Sequence, residues 1–238
     1  MSSLLFFRKL NDNLADFVDS VYYDWFICSH SPYADKKMVE SEFGLIPANW
    51  RITELGEMIE SYSKAHSFDK DYLIFLNTSD ILAGDFLTED YRFISDLPGQ
   101  AKKSIQAGDI LFSEIRPANK RYALVSFPAE DYVVSTKLMV LRTTQEEISN
   151  LRIYHYLTMK STLNELHREA DGKSGTFPQI TFDDNLRHRN IIIADNKTEC
   201  EFYKLLYERY ELELEIRKDF REYPDVANKF DISVDIMQ

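Results

Sequence analysis

The sequence predicts a mixed α+β fold, in which an α/β globular region is flanked by N- and C-terminal helices. Three observations lead to this prediction. Apolar residues recur at helical spacing near the start of the chain and again over residues 197–222, whereas residues 71–143 contain aromatic and β-branched runs typical of strands. With 238 residues and 44% hydrophobic residues, the chain can form one large domain, or one domain with a helical appendage.

The first element, within residues 1–28, is predicted to be an amphipathic helix. Its apolar residues recur at steps of three and four, and aspartates fall between them. Pro32 disfavours helical geometry in the residue before it, so the helix should end near Phe26. The predicted apolar stripe consists of Leu10, Leu14, Phe17, Val21 and Trp25.

The globular region is predicted to cover residues 44–195. Its strands are expected at residues 71–78, 85–93, 108–115, 121–127, 131–142 (a strand pair or one long bent strand) and 191–193. The runs on either side of residues 116–120 should form a hairpin. A helix is predicted over residues 145–168, where Ile148, Leu151 and Leu163 belong to a three-and-four pattern.

The last element is a long helix over residues 197–222, roughly 39 Å in length at ~1.5 Å per residue. Pro224 ends it, and residues 223–238 are expected to form a loose tail. Its predicted stripe consists of Phe202, Leu205, Leu206, Leu212, Ile216 and Phe220. The two terminal stripes could pair as an antiparallel coiled-coil stalk, with any remaining apolar surface against a second chain. Alternatively, both helices lie on the core of the globular region.

Composition restricts the setting in which the chain works. Its two cysteines form no disulfide framework, and no apolar run approaches the ~20 residues of a membrane span, so we expect a reduced, cytoplasmic protein. The net charge of −12 alone argues against nucleic acid as a partner. However, residues 92–121 hold six cations against three anions, and such a basic window can steer a polyanion to one face.

Several short motifs occur along the chain. They lie at residues 10–14 with 22–26, at 41–47 with Trp50 and 55–57, at Gly108–Ser113 with Arg116-Pro117, at Ser135-Thr136 and at Gly175–Ile180. In this order they resemble the DNA specificity subunits of type I restriction–modification systems. The first motif is similar to a spacer helix, the second to the entry of a target recognition domain and the next three to its middle and later signatures, and the final helix matches a second spacer.

This resemblance implies a non-catalytic subunit that reads one half-site of double-stranded DNA. It would scaffold the adenine-N6 methyltransferase (modification) subunit and the restriction endonuclease subunit. S-adenosylmethionine, ATP and Mg would be used by those subunits, with no cofactor in this chain. Family members usually carry two recognition domains and two spacers, so the chain resembles a half-size form. This predicts a homodimer, or pairing with another half subunit, and no membrane association.

The basic window and the later loop hold the residues that we expect to contact DNA. Arginine can contact guanine O6 and N7 together, asparagine can do the same at adenine, and lysines suit phosphates. The candidates are Lys102, Lys103, Arg116, Asn119, Lys120, Arg121, Lys173, Gln179, Arg187 and Arg189. For each of them the simpler interpretation is a solvated surface residue.

Two other function classes were considered. A dimeric coiled-coil protein-interaction module agrees with the negative net charge. A metal-dependent nuclease could use Asp183 and Asp184, although a helix N-terminal cap is the simpler role for this pair. The Gly172-Lys173-Ser174 sequence lacks the preceding glycine of a phosphate-binding loop, because His167 stands there.

Overall fold

The structure, a computed structural model, describes residues 3–173 and 178–222, and the side chains of residues 9–172 and 178–218. Within these ranges the helices are α1 (Ser3–Tyr22), α2 (Leu55–Met58), α3 (Asn150–Thr158), α4 (Lys160–Lys173) and α5 (Asn196–Glu222). Tyr23–Ile27 and Phe182–Leu186 form π-helical turns. No helix of the described ranges is both long and apolar enough to cross a membrane.

The strands are short, and most belong to small antiparallel sheets. They are β1 (Met38–Ser41), β2 (Gly44–Pro47), β3 (Arg51–Glu54), β4 (Ile59–Ser61), β5 (Tyr72–Leu76), β6 (Ile81–Leu82), β7 (Asp85–Phe86), β8 (Tyr91–Phe93), β9 (Ala101–Ser104), β10 (Ile110–Ser113), β11 (Tyr122–Leu124), β12 (Tyr132–Ser135), β13 (Leu138–Thr143) and β14 (Asn190–Ile193).

The chain divides into two compact units. The helical unit comprises residues 1–53, 147–152 and 190–238, and the sheet unit comprises residues 54–146 and 153–189. Most of the secondary structure predicted from the sequence is present. The predicted strand over residues 85–93 is instead two short strands, β7 and β8, in different sheets, and the predicted helix over residues 145–168 is two helices, α3 and α4. Of the two alternatives for residues 131–142, the structure has two strands, β12 and β13, which belong to different sheets.

In the helical unit, α1 and α5 pack against each other in an antiparallel arrangement. The ring centroids of Tyr22 and Phe202 are 5.9 Å apart, and those of Phe26 and Phe202 are 5.1 Å apart. Further along the pair, Asp19 lies near Arg209, and their charges interact. Tyr22 contacts Phe202, whereas Asp19, which comes earlier in α1, lies near Arg209, which comes later in α5. The two helices therefore run in opposite directions.

The buried stripe of α1 differs from the predicted one. Val18, Tyr22 and Phe26 are buried, whereas Leu10 and Phe17 are 41% and 52% exposed. Tyr22 and Phe26 stack on each other with 5.2 Å between ring centroids, and both pack on Phe202 of α5, so this face of the helix turns inward. Leu14, Val21 and Trp25 are half-buried.

The prediction for α5 is closer. Phe202, Leu206 and Ile216 are buried, and Leu205 and Leu212 are half-buried. Phe220 lies outside the described side chains.

The sheet unit is built on two four-stranded sheets. Their strand orders are β11-β10-β13-β4 and β8-β5-β12-β9, and in the second sheet β5 and β12 are parallel. One core cluster combines side chains from both sheets, including Ile74, Leu111, Val134 and Val140. As predicted, β10 and β11 form an antiparallel hairpin around residues 116–120.

Candidate nucleic-acid interface

The exposed connection of the β10–β11 hairpin, residues 116–120, holds three of the predicted DNA contacts. Pro117 is buried and anchors the connection, while Arg116, Asn119 and Lys120 are exposed. The Asn119 amide donates to the Arg116 carbonyl at 2.8 Å, and Pro117–Asn119 forms one turn of 3₁₀ helix. The connection, named here the 116–120 turn, therefore presents three polar side chains from a fixed backbone.

Both ends of the 116–120 turn have left-handed backbone conformations. Arg116 has φ 47° and ψ 76°, and Lys120 has φ 53° and ψ 38°. A side chain in this region costs about 1 kcal/mol or more, and such residues concentrate at functional sites. The strain is held in place by the surrounding hydrogen bonds and by buried Pro117. It supports the view that the turn binds a ligand.

A second segment, residues 178–180, lies beside the turn. The Arg116 amide donates to the Pro178 carbonyl at 3.0 Å, and the Ile180 amide donates to the Glu114 carbonyl at 2.9 Å. Ile115 and Gln179 thus form an isolated antiparallel bridge, and the Gln179 side chain is exposed. The structure therefore brings Gln179 next to Arg116, although 63 residues separate them in the sequence.

Lysines lie close to this pair of segments. The Lys103 ammonium donates to the Leu138 carbonyl at 2.8 Å and interacts with the charges of Glu114 and Lys137. Burial lowers the pKa of Lys103, and the Glu114 charge counteracts this. The Lys137 ammonium is 3.8 Å from a Glu114 carboxylate oxygen. Lys102, the neighbour of Lys103 on β9, is exposed.

Sequence reasoning missed Lys137. It follows the Ser135-Thr136 signature directly and its side chain is 47% exposed, so it can reach a phosphate. Lys137 lies outside the basic window of residues 92–121, so the window did not indicate it. The sequence signal that could have found it was its position directly after a recognised motif. We add Lys137 to the candidate interface, which comprises Lys102, Lys103, Arg116, Asn119, Lys120, Lys137 and Gln179.

Three predicted arginines already have protein partners. Arg121 donates from Nη1 to the carbonyls of Ser79 and Ile81, at 3.2 and 3.0 Å. Arg189 is mostly buried and pairs with two glutamates of α4. Arg187 is exposed and pairs with Asp183 at 3.3 Å. Because the guanidinium groups of Arg121 and Arg189 hold the fold and that of Arg187 is paired with Asp183, we leave all three out of the interface.

Two further predicted positions, Lys173 and Arg187, differ in what the structure shows of them. The side chain of Lys173 lies outside the described residues. The backbone of Arg187 packs against Gly56, whose backbone amide donates a hydrogen bond to the Arg187 carbonyl at 2.8 Å. A Cβ on Gly56 would lie 2.5 Å from Arg187 Cγ and 3.1 Å from the Arg187 carbonyl oxygen, so this close approach requires glycine.

The acidic pair Asp183 and Asp184 lies in the first turn of the π-helical segment and does not cap it. The cap is Thr181, whose hydroxyl accepts a hydrogen bond from the Asp184 amide at 3.1 Å. Among the described residues, no group of three or more histidine, cysteine, aspartate or glutamate side chains is arranged to hold a metal ion. The geometry of these residues therefore gives no support to the nuclease alternative.

Comparison with known proteins identifies one family. Residues 47–211 match the family model described as type I restriction modification DNA specificity domain. The chain is also 38% identical over 153 residues to the type I restriction enzyme HindI specificity subunit of Haemophilus influenzae. That alignment covers 64% of this chain and 33% of the relative.

Solved structures show the same fold at lower sequence identity. The HsdS subunit from Thermoanaerobacter tengcongensis matches with a TM-score of 0.58 and 22% identity, over 78% of this chain and 47% of that chain. The S subunit of a type I restriction–modification system from M. genitalium matches with a TM-score of 0.54 and 13% identity, over 95% and 53%. The chain thus spans about a third of the curated relative and about half of these solved chains.

Proposed function

Because the chain belongs to the family of type I restriction modification DNA specificity domains, we propose that it is the DNA-recognition (specificity) subunit of a type I restriction–modification complex and reads one half-site. The observation that carries this proposal is the strained, exposed 116–120 turn, with Gln179 beside it and lysines nearby. The family assignment agrees with the expectation that the chain recognises DNA and leaves catalysis to other subunits.

The candidate interface contains the two kinds of contact that sequence-specific DNA binding requires. Arg116 can donate two hydrogen bonds to guanine O6 and N7, and Asn119 and Gln179 can each bind adenine through N6 and N7. Lys102, Lys120 and Lys137 suit phosphates, which hold the protein in register without reading sequence. Lys103 spends one donor on the Leu138 carbonyl, so we assign it a supporting role.

The helices supply the proposed partner surface. A single recognition module buries too little to select one site in a genome, so two modules on helical spacers would read a bipartite target. We infer that α1 and α5 pair with a second module and dock the adenine-N6 methyltransferase subunit, with the endonuclease subunit joining the complex. S-adenosylmethionine, ATP and Mg belong to those subunits in this proposal.

The decisive experiment is selection of randomised DNA duplexes by the full chain in complex with its modification subunit. We expect one enriched half-site sequence. Arg116→Ala should relax the preference at particular base pairs by roughly ten- to a hundredfold, because it removes a bidentate base contact. Lys137→Ala should instead weaken binding to all duplexes and reduce its salt dependence.

Lys160→Ala is the matched control, because Lys160 is an exposed lysine of α4 that belongs to neither interface segment. It removes one positive charge, as Arg116→Ala and Lys137→Ala do, and should leave the selected sequence unchanged. If the wild-type complex enriches no sequence, the proposed function is wrong. If the sequence is enriched but Arg116→Ala and Asn119→Ala leave it unchanged, the assignment of the reading residues is wrong.

A further inference from the structure

The edge of the second sheet of the sheet unit carries large aromatic side chains that the described residues leave half exposed. β8 is the edge strand next to β5, and all three of its residues are exposed. Tyr72, Tyr91 and Phe93 are 46%, 57% and 51% exposed. Natural sheet edges are usually blunted by charged side chains or proline, so the exposed Tyr91 and Phe93 on the edge strand, with exposed Tyr72 beside them on β5, need an explanation.

These three residues share one face of the sheet. Tyr72 lies opposite Phe93 and Ile74 lies opposite Tyr91, so all four side chains point the same way. The rings of Tyr72 and Phe93 are 4.2 Å apart between centroids. Arg92, between the two β8 aromatics, points to the opposite face. The three aromatics form a continuous surface, named here the aromatic edge.

The aromatic edge continues a buried apolar surface. On the other side of Ile74 lies Tyr132 of β12, which packs on Phe127 with 4.9 Å between ring centroids. Ile74 belongs to the core cluster, and Tyr132 and Phe127 are partly buried against it. This face of the sheet is therefore buried at Ile74 and exposed at β8. Such a continuous apolar surface is typical of a site that binds another protein.

The charge around the aromatic edge indicates the charge of the partner that this surface can bind. Residues 69–72, 89–93 and 130–132 contain six carboxylates and only two cations, Lys70 and Arg92. The Tyr91 hydroxyl donates to Asp131 at 2.6 Å, and Lys70 pairs with the same carboxylate. Glu89 acts electrostatically on Tyr132. A surface with this excess of negative charge repels the phosphates of nucleic acid and attracts cations.

We propose that the aromatic edge docks a basic, extended segment of a partner protein, which runs along β8 with arginine or lysine side chains over the tyrosine rings and against the carboxylates. Strand addition at a sheet edge supplies backbone hydrogen bonds, and cation–π contacts favour arginine over tyrosine faces. This surface is separate in its residues from the candidate nucleic-acid interface, and the proposal does not depend on the DNA-recognition function.

The test measures binding of a fluorescent decapeptide of alternating arginine and valine to the full chain at physiological salt. We expect Tyr91→Ser with Phe93→Ser to weaken binding by about tenfold, because both rings leave the docking face. The control is Phe43→Ser with Leu45→Ser, which removes two large apolar side chains of similar exposure, 46% and 58%, from the β1–β2 hairpin. Both variants keep the net charge, so the control should bind like wild type.

A second measurement does not depend on the variants folding well. When the labelled peptide is titrated into the wild-type chain, the backbone amide NMR signals of residues 72 and 91–93 should shift at lower peptide concentrations than those of other regions. If the edge variant and the control bind the peptide equally, binding reflects net charge and the proposal is wrong. If Tyr91→Ser with Phe93→Ser instead weakens binding of a random DNA duplex, the aromatic edge is a base-stacking surface and the protein-docking proposal also fails.

Discussion

At the scale of single residues, one buried ion pair organises the centre of the sheet unit. Asp109 is fully buried, and its carboxylate accepts hydrogen bonds from Arg142 Nε at 2.7 Å and Nη2 at 2.9 Å. It also accepts from the Gln106 amide at 2.8 Å. The Arg142 guanidinium lies 3.6 Å from the ring centroid of Tyr62. This charge is desolvated and fully paired, so removing one partner should be costly.

Asp109→Asn should therefore lower the free energy of unfolding by about 3 kcal/mol, because the amide cannot accept both hydrogen bonds and leaves the guanidinium without a counter-ion. Urea denaturation measures this. Asp90→Asn, at an exposed aspartate of the same unit, is the control and should change stability by less than about 0.5 kcal/mol. Equal unfolding midpoints for the two variants would contradict the assigned role.

The sequence identified Asp109 as part of a recognised motif but could not identify its partner. Arg142 lies 33 residues away, on a neighbouring strand, and the pairing depends on the register between β10 and β13. Ile110 lies opposite Leu141, which places Arg142 beside Asp109. Pairings of this kind depend on tertiary structure, and no local spacing indicates them.

At the scale of elements, the long helices were predictable and their packing faces only partly so. The predicted α5 limits, residues 197–222, differ by one residue from Asn196–Glu222. In α1 two apolar stripes compete, and the one with Val18, Tyr22 and Phe26 packs inward. The π-helical turn at Tyr23–Ile27 also changes the angular spacing at the end of this helix, and the sequence pattern gave no sign of it.

A buried arginine joins the elements of the helical unit. Arg152 is 1% exposed, and its guanidinium lies 4.5 Å from the ring centroid of Tyr22, 4.3 Å from that of Phe26 and 5.6 Å from that of Phe202. Its Nε is 3.6 Å from a carboxylate oxygen of Glu199, near the start of α5. One cation thus contacts the ends of α1 and α5 that pack together.

The pH dependence of stability tests this arrangement. Burial raises the pKa of Glu199, and the Arg152 charge opposes that rise. A carboxyl group with a raised pKa in the folded state stabilises the fold below its unfolded pKa, and this contribution is lost as the pH rises through the folded pKa. Arg152→Met removes the opposing charge, so the pKa of Glu199 should rise further. The free energy of unfolding should then fall more steeply with pH than in wild type.

The extra loss as the pH rises above the ~4.3 of an unfolded glutamate should be roughly 1.4 kcal/mol for each further unit of pKa. Urea denaturation at a series of pH values measures it. Glu199→Gln is the control, because without this carboxyl the Arg152→Met change should no longer steepen the pH dependence. Identical slopes for wild type and Arg152→Met would show that the Arg152 charge does not act on Glu199.

At the scale of the whole molecule, net charge proved a poor guide to the candidate surfaces. The chain carries −12, yet its sheet unit has both a cationic interface around the 116–120 turn and an acidic aromatic edge. The sequence indicated a basic window over residues 92–121, but its first cation, Arg92, lies on β8 within the acidic surroundings of the aromatic edge. It could not separate Arg121, which holds backbone carbonyls, from Arg116, which is exposed, because both are arginines flanking the same turn.

The helical unit exposes large apolar side chains on both of its long helices. Leu10 and Phe17 of α1 are exposed, and so are Tyr203 and Tyr207 of α5, whose ring centroids are 6.0 Å apart. Exposed apolar side chains at helical spacing on paired helices are typical of surfaces that pack against further helices. We therefore expect the purified chain to self-associate through the face of α1 that carries Phe17.

Phe17→Glu should shift the sedimentation coefficient of the chain to that of a monomer that is still folded, because Phe17 is 52% exposed and a buried charge would be costly only in the assembled form. Asn49→Glu, at an exposed residue of the same unit, adds the same charge and should leave the assembly intact. If wild-type chain sediments as a monomer at tens of micromolar, self-association is wrong. This face would then be free for a different second module or for the modification subunit.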